Sequence, residues 1–163
     1  MFREMRRKRQ QTSAEEAQRI LESQTSGVLA LSGDDGYNYA VPISYACANG
    51  KIYFHAARSG HKLDSIRRNE RVSFCVIDRD DVVQETFTTH YKSAIAFGRM
   101  RIIEDDADPE KRLGLELLAD KYSPSIGAEA REKEIGGKMK ALVVLVLNVE
   151  HLTGKIAKEL VDR

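Results

Sequence analysis

The dipeptide Asn49-Gly50 joins two runs of extended-type residues, Tyr37–Ala46 and Lys51–Ala57. It constrains the chain more than any other feature. A two-residue hairpin turn needs positive φ at both central positions, and Asn-Gly is the pair that supplies it at least cost. Ser32-Gly33-Asp34-Asp35-Gly36 marks a second turn, and the apolar run Val28–Leu31 precedes it. Three successive antiparallel strands, a meander, are therefore predicted within the first sixty or so residues. Pro42 lies inside the middle run. Proline cannot donate to a central ladder, so that strand is placed at a sheet edge or given a bulge, and its backbone becomes available to a ligand.

Further elements follow the same logic. Ser13-x-x-Glu16 is a capping box, and Ala14, Ala17, Ile20 and Leu21 share one helical face before Gly27. Ser59-Gly60 opens a short helix through Leu63 and Ile66 that ends near Asn69. Arg71–Asp78 alternates with Val72, Phe74 and Val76 on one side, and Thr86–Thr89 and Ser93–Ile103 read as two more strands. Ala94, Ala96 and Gly98 in the second of these permit close approach. Asp108-Pro109 is a cap followed by an N1 proline, opening a helix over about 110–122 with Leu113, Leu117 and Leu118 as its apolar positions. Residues 125–140 are charged and contain Gly136-Gly137, which predicts a mobile loop. Ala141–Val149 is a buried strand that completes a six-stranded antiparallel barrel with flanking helices, in one domain spanning 1–163.

Composition narrows the function. The 26 basic and 25 acidic residues leave a net charge of +1, so no global field selects nucleic acid or an anionic membrane. The basic run Arg3, Arg6, Arg7, Lys8 and Arg9 within residues 1–12 lacks interleaved aromatics and reads as a solvated arm or a dimer contact. Ala141–Val149 is too short to span a bilayer, and the N-terminus carries no apolar signal segment, which predicts a cytoplasmic protein. Cys47 and Cys75 have no CxxC spacing and are read as unpaired packing residues. His55 and His61, six apart, do not fit two ligands on one helical turn, so no metal site is predicted. The chain has no Gly-x-Ser-x-Gly, Walker A or Gly-x-Gly-x-x-Gly pattern.

The segment Tyr53–Lys62 passes from a strand through small residues into a helix start carrying Arg58, His61 and Lys62. Free backbone donors, the helix dipole and a cation there suit a phosphate; a plain cap at Ser59 with solvated cations is the other reading. Val41-Pro42-Ile43-Ser44-Tyr45 offers an edge-like backbone beside an aromatic ring, which a flat heterocycle could use, or is a strand that tolerates its proline.

Taken in order, Arg6-Arg7-Lys8, Gly27–Leu31, Gly36–Tyr45, Ile52-Tyr53-Phe54-His55, Gly60-His61-Lys62-Leu63, Phe97-Gly98 and Leu152-Thr153-Gly154-Lys155 make the chain resemble a known family. It is the nitroimidazole-resistance group of the pyridoxamine 5'-phosphate oxidase-like flavoproteins. The resemblance implies an FMN-binding split barrel and a homodimer with cofactor at the interface. It implies that Val41, Pro42, Ile43, Ser44 and Tyr45 touch the flavin ring, that Phe54, His55 and Ala57 line the ribityl and phosphate side, and that Lys62, His61 and Ser93 hold the phosphate. His61 stands where many relatives have arginine, which implies a pH-dependent phosphate site and makes His61 the one candidate for a further chemical role. Members of the group are linked to reduction of nitro groups on imidazoles, which implies electrons passing from NAD(P)H to a small organic acceptor. Cousins bind heme or other cofactors, so a non-catalytic flavin, heme or deazaflavin binder is the alternative.

Overall fold

A computed structural model describes residues 1–161. In chain order the elements are α1 (Ala14–Ser23), β1 (Ser26–Ser32), β2 (Asn38–Ser44), β3 (Ala46–Ala48), β4 (Lys51–Ala57), α2 (His61–Arg68), β5 (Arg71–Val83), β6 (Thr88–Ile103), α3 (Pro109–Tyr122), α4 (Ala128–Met139) and β7 (Leu142–Ile156). The strands form one antiparallel sheet in the order β2-β1-β5-β6-β7-β4-β3. Asn49 and Gly50 have φ of 52° and 73°, the two positive angles the hairpin requires.

The sheet has seven strands and is not closed, where six in a closed barrel were predicted. The seven extended runs named above map onto these seven strands because one run breaks in two and two others merge. Tyr37–Ala46, predicted as one strand, divides at Tyr45 into β2, bonded to β1 at one edge, and β3, bonded to β4 at the other. Both edges are thus consecutive pieces of one run, and the sheet curls back toward itself around the break. Tyr45 leaves the ladder because its side chain is fully buried and its backbone has another partner. The Tyr122 hydroxyl accepts from Tyr45 N at 2.9 Å and lies 2.9 Å from Tyr45 O.

Two predicted strands are one: Thr86–Thr89 and Ser93–Ile103 merge into β6, which pairs with β5 out to Val83↔Thr88. A register shift between Ile77 and Arg79 breaks the alternation there, so the outer half of the hairpin is not visible as a pattern. β7 likewise continues past Val149, because a shift opposite Phe97 and Gly98 interrupts its period.

α1 closes the inside of the curl. Ser13 Oγ accepts from Glu16 N, and Ala17, Ile20 and Leu21 are buried against the sheet. Three rings pack edge-on there: Tyr45 and Phe54 stand against Phe74 at centroid distances of 4.8 and 5.1 Å. A smaller cluster lies on the opposite face, where Tyr53, Val144 and Val146 meet Leu115 of α3 and Ile135 of α4. Val143, Leu145 and Leu147 face the main core, so this half of β7 is buried on both sides, which explains its unbroken apolar run.

Of the apolar positions predicted for α3, Leu118 is buried and Leu117 half-buried, while Leu113 points to solvent and Lys111, Gly114 and Leu115 complete the inward face. A buried lysine in the stripe obscured its helical period; Lys111 Nζ bonds Asp106 at 2.5 Å. Residues 125–140, predicted as a mobile loop, contain α4. Burial of Ile135 and the ion pairs Arg131–Asp120 and Arg112–Glu132 offset the cost of Gly136 and Gly137 in the helix.

Candidate functional site

β2 occupies the edge position predicted for a proline-bearing strand. Pro42 pairs with Val28 of β1, and among the described residues no strand bonds the other side. The pleat turns Tyr39, Val41 and Ile43 inward against the core and leaves Pro42 and Ser44 exposed. Val41 and Ile43 are thus partly buried against the core, and the strand offers its backbone together with the exposed Pro42 and Ser44. Tyr45 also turns inward. Its hydroxyl donates to Leu21 O at 2.5 Å, and Lys121 Nζ lies 4.0 Å from its ring centroid. The aromatic ring expected beside the edge is a core residue.

β4 divides its residues the same way. Phe54 is fully buried, so it cannot line a cofactor with its side chain; its ring belongs to the aromatic core. His55 and Ala57 face outward on the opposite side of the strand. Burial first, then the nearby positive charge of Lys62, holds the His55 imidazole below its ordinary pKa. That places Lys62, in the first turn of α2, close enough to His55 to be felt by it. Lys62 is half-buried and makes no ion pair among the described residues.

The remaining predicted residues go elsewhere. Gly60, with φ of 129°, caps α2 in place of Ser59, and no side chain bonds that cap. His61 turns toward the β1–β2 turn, where Nε2 lies 3.4 Å from Asp34 Oδ2 and the ring stacks on Tyr39 at 4.1 Å. Arg58, a candidate phosphate cation, instead binds Lys140 O at 2.5 Å and Asp106 at 2.6 Å. His55 is level with Ile103 through Val144, and Ser93 lies ten residues further along β6. That is roughly 33 Å of strand, so one chain does not bring Ser93 to Lys62.

Ser44 and His55 open into a cleft of about 400 Å³. Its walls are Leu115, Leu118, Ala119 and Tyr122 of α3 and Ile135 of α4, with Glu134 and Lys138 also on the α4 side. Of these walls Leu118 was among the apolar positions expected of α3, whereas Leu115 was not and α4 was expected to be loop. Leu115 and Leu118 with Lys111 and Gly114 carried a helical signal that a tolerated lysine would have revealed. Two wider depressions, about 680 Å³ each, lie at the β5–β6 hairpin tip and beneath Phe2. They bring together no comparable set of the predicted residues. Chemically, the Ser44–His55–Lys62 region offers an unladdered backbone edge, a neutral imidazole, one cation and an apolar recess.

Among solved structures the chain is similar to a candidate 5-nitroimidazole antibiotic resistance protein from Bacteroides thetaiotaomicron. The two share 20% identity with a TM-score of 0.75, over 88% of this chain and 84% of that one. A conserved hypothetical protein from Mycobacterium tuberculosis is also 20% identical, with a TM-score of 0.81 over 96% and 92%. A FAD and heme binding protein from Mycobacterium smegmatis is 25% identical, with a TM-score of 0.73 over 92% of this chain and 74% of that one. No curated protein matches the sequence. The family model for pyridoxamine 5'-phosphate oxidase matches residues 13–156, from the α1 cap to the end of β7, and with it the chain belongs to the pyridoxamine 5'-phosphate oxidase family.

Proposed function

We propose that this chain holds a flavin, FMN, as a cytoplasmic homodimer, and passes electrons from NAD(P)H to a small organic acceptor such as a nitroimidazole-type nitro compound. The observation that carries this reading is the half-buried Lys62 in the first turn of α2, without an ion pair among the described residues, whose charge reaches His55. A phosphoryl group would meet its charge together with the free N–H groups of the helix start. The residues present fit the group: His55 and Ala57 would flank the ribityl side, and the edge backbone from Pro42 to Ser44 would meet the hydrogen-bonding rim of the ring. When bound, the flavin supplies the electron transfer, and the protein's part is to position it and shape access. His55, kept neutral, can donate or accept one hydrogen bond without adding a charge.

The outward sheet face supports a dimer. Pro42, Val28, Cys75 and Ile95 are successive cross-strand neighbours, and Val28 and Ile77 are exposed apolar residues. A second copy would cover them.

A second reading is a binding or sensing protein for flavin, heme or deazaflavin without turnover. The 25% identical FAD and heme binding protein favours it. Visible spectra of purified protein, recorded anaerobically before and after NADH or NADPH, separate the two. Yellow protein that bleaches supports the enzyme. A flavin-loaded protein that neither nicotinamide reduces leaves the binding reading, and colourless folded protein that ignores excess FMN defeats both.

A further inference from the structure

We infer that the acidic outer half of the β5–β6 hairpin docks on the basic N-terminal arm of a second copy, whose own hairpin takes the first arm in return. The exchange rests on the homodimer proposed above and needs no flavin.

The hairpin outgrows its sheet. β1 leaves β5 at Val28↔Cys75 and β7 leaves β6 at Lys92↔Ile156, yet β5 and β6 go on pairing as far as Val83↔Thr88. Beyond Tyr91 neither edge bonds a further strand among the described residues, and a two-stranded ribbon alone in water is marginal. Its tip carries apolar surface that nothing in the same chain covers, with Val82 71% and Phe87 99% exposed. Phe87 also holds a φ of 49°, which costs a bulky residue energy, without burying its ring in return. The tip lacks a cover.

The chemistry of the tip selects a cationic segment. Asp80, Asp81 and Glu85 are exposed, and among the described residues only Asp81 has an ion pair, with Arg79. Three carboxylates against that one guanidinium leave residues 79–91 with a net charge of −2. The arm is the complement: over residues 1–9 five cations stand against Glu4 alone, which leaves +4. Glu4 takes Lys8, while Arg6 and Arg9 are exposed and have no ion pair among the described residues. Guanidinium groups also suit the bare Phe87 face, since a planar cation stacks on a ring while its stem covers apolar neighbours.

The placement makes the contact reciprocal. Arg6, Arg7 and Arg9 share a cleft of about 570 Å³ with Thr88, Thr89 and Tyr91, on the strand opposite Asp80 and Asp81. Among the described residues no ion pair joins arm to ribbon within the chain. A two-fold axis uses such adjacent opposite patches, because it lays the basic patch of each copy over the acidic patch of the other. A polyanion on the arm would instead be repelled by the carboxylates beside it. The ribbon also leaves the sheet next to Ile77, an exposed residue of the outward face proposed for the dimer, so the two surfaces are continuous.

The test uses the full chain and two double variants at exposed positions, Asp80→Lys with Glu85→Lys on the ribbon and Arg6→Glu with Arg9→Glu on the arm. Circular dichroism checks their folding, and self-association is followed by dilution in analytical ultracentrifugation. Each variant alone should pair with itself about tenfold or more weakly, since a symmetric dimer repeats the change and sets like charges together. Mixed in equal amounts, the two should pair with each other about as tightly as the unaltered chain pairs with itself, because each then meets opposite charge at both contacts. A contact within one chain cannot give that recovery. Should the unaltered dimer be too tight to dilute apart, the rate of subunit exchange between labelled copies gives the same ranking. Added salt should also weaken the unaltered dimer. Variants that pair like the unaltered chain, a mixture that does not recover, or a dimer insensitive to salt overturns the inference and leaves the dimer itself standing. An unaltered chain that stays monomeric at every concentration removes both.

Discussion

Removing one hydroxyl, in Tyr122→Phe, should both destabilise the protein and loosen the flavin edge. The Tyr122 oxygen accepts from Tyr45 N and faces the carbonyl oxygens of Tyr45 and Thr25, and its single proton serves one of them at a time. Phenylalanine keeps the ring and leaves the Tyr45 N–H, beside a fully buried side chain, without its partner. An unsatisfied buried donor costs about 1–3 kcal/mol. Tyr122 is 37% exposed, so water reaches part of the vacated position and the lower portion, about 1–2 kcal/mol, applies. For a chain of this length each kcal/mol moves the melting temperature by about 2–4 °C, which gives a fall of about 2–8 °C. Thermal melts by circular dichroism should show it, with Tyr37→Phe, at a 79% exposed tyrosine, as a control that does not move. FMN affinity should fall in parallel, because Ser44 adjoins the freed backbone. A Tyr122→Phe protein with unaltered melting temperature and FMN titration would refute the claim that this hydroxyl maintains the break.

Lys62→Ala should weaken FMN by about 1.5–3 kcal/mol, roughly 10- to 150-fold in a fluorescence titration, whereas Arg58→Ala should leave FMN affinity close to unchanged and lower the melting temperature by freeing α4. An equal FMN loss in both would mean that Arg58 is also a phosphate ligand. Glu16 is held down to about 2 by its hydrogen bond from Arg19 and then by Lys92. Its folded pKa lies below the unfolded one, so its contribution is complete above about pH 4.5 and is lost as pH falls toward 2. After solvent screening it should amount to about 1 kcal/mol, and Glu16→Gln should flatten the acid limb of a stability–pH profile; an unchanged limb would remove Glu16 from that role. A methyl group on Gly98 would lie 2.0 Å from Asn148 O, a backbone atom that cannot move without opening the β6–β7 ladder. Gly98→Ala should cost about 3 kcal/mol or more in a denaturant melt, and a neutral result would show that the bulge beside it absorbs the methyl.

The elements announced by local chemistry were legible. Asn49-Gly50 and the Ser13 box act through their own neighbours, so their residues alone suffice to place a turn and a cap. Pro42 gave the sheet position of its strand, since a missing donor is tolerated only at an edge or bulge. What stayed hidden depends on distant partners. α4 forms because Asp120, Arg112 and the apolar recess receive it, none of which is in its own sequence. The inward turn of Lys111 depends on Asp106. At the site, Lys62 was readable as a cation at a strand–helix junction, whereas Ser44 and His55 were named as lining residues only through the family resemblance. The placements of Phe54 and His61 were not readable, because one belongs to a ring cluster with Phe74 and the other to Asp34 and Tyr39, contacts that motif order does not encode.

Tyr45 links these observations. Its ring must go inward to meet Phe74 and to bond Leu21 O, and its backbone then cannot keep both neighbouring ladders in one continuous strand. The chain solves this by handing the Tyr45 backbone to Tyr122, the last residue of α3. That contact fixes the C-terminal end of α3 over the break, while Gly114 lets its middle approach Val144 closely. With α3 set in this line, α4 can reach the sheet only beyond it, and the space left between the helices and His55 is the cleft. The same residue that prevents the barrel from closing thereby creates the free edge at Ser44 and the recess beside it, so a substitution that healed the strand at Tyr45 would remove the site along with the break.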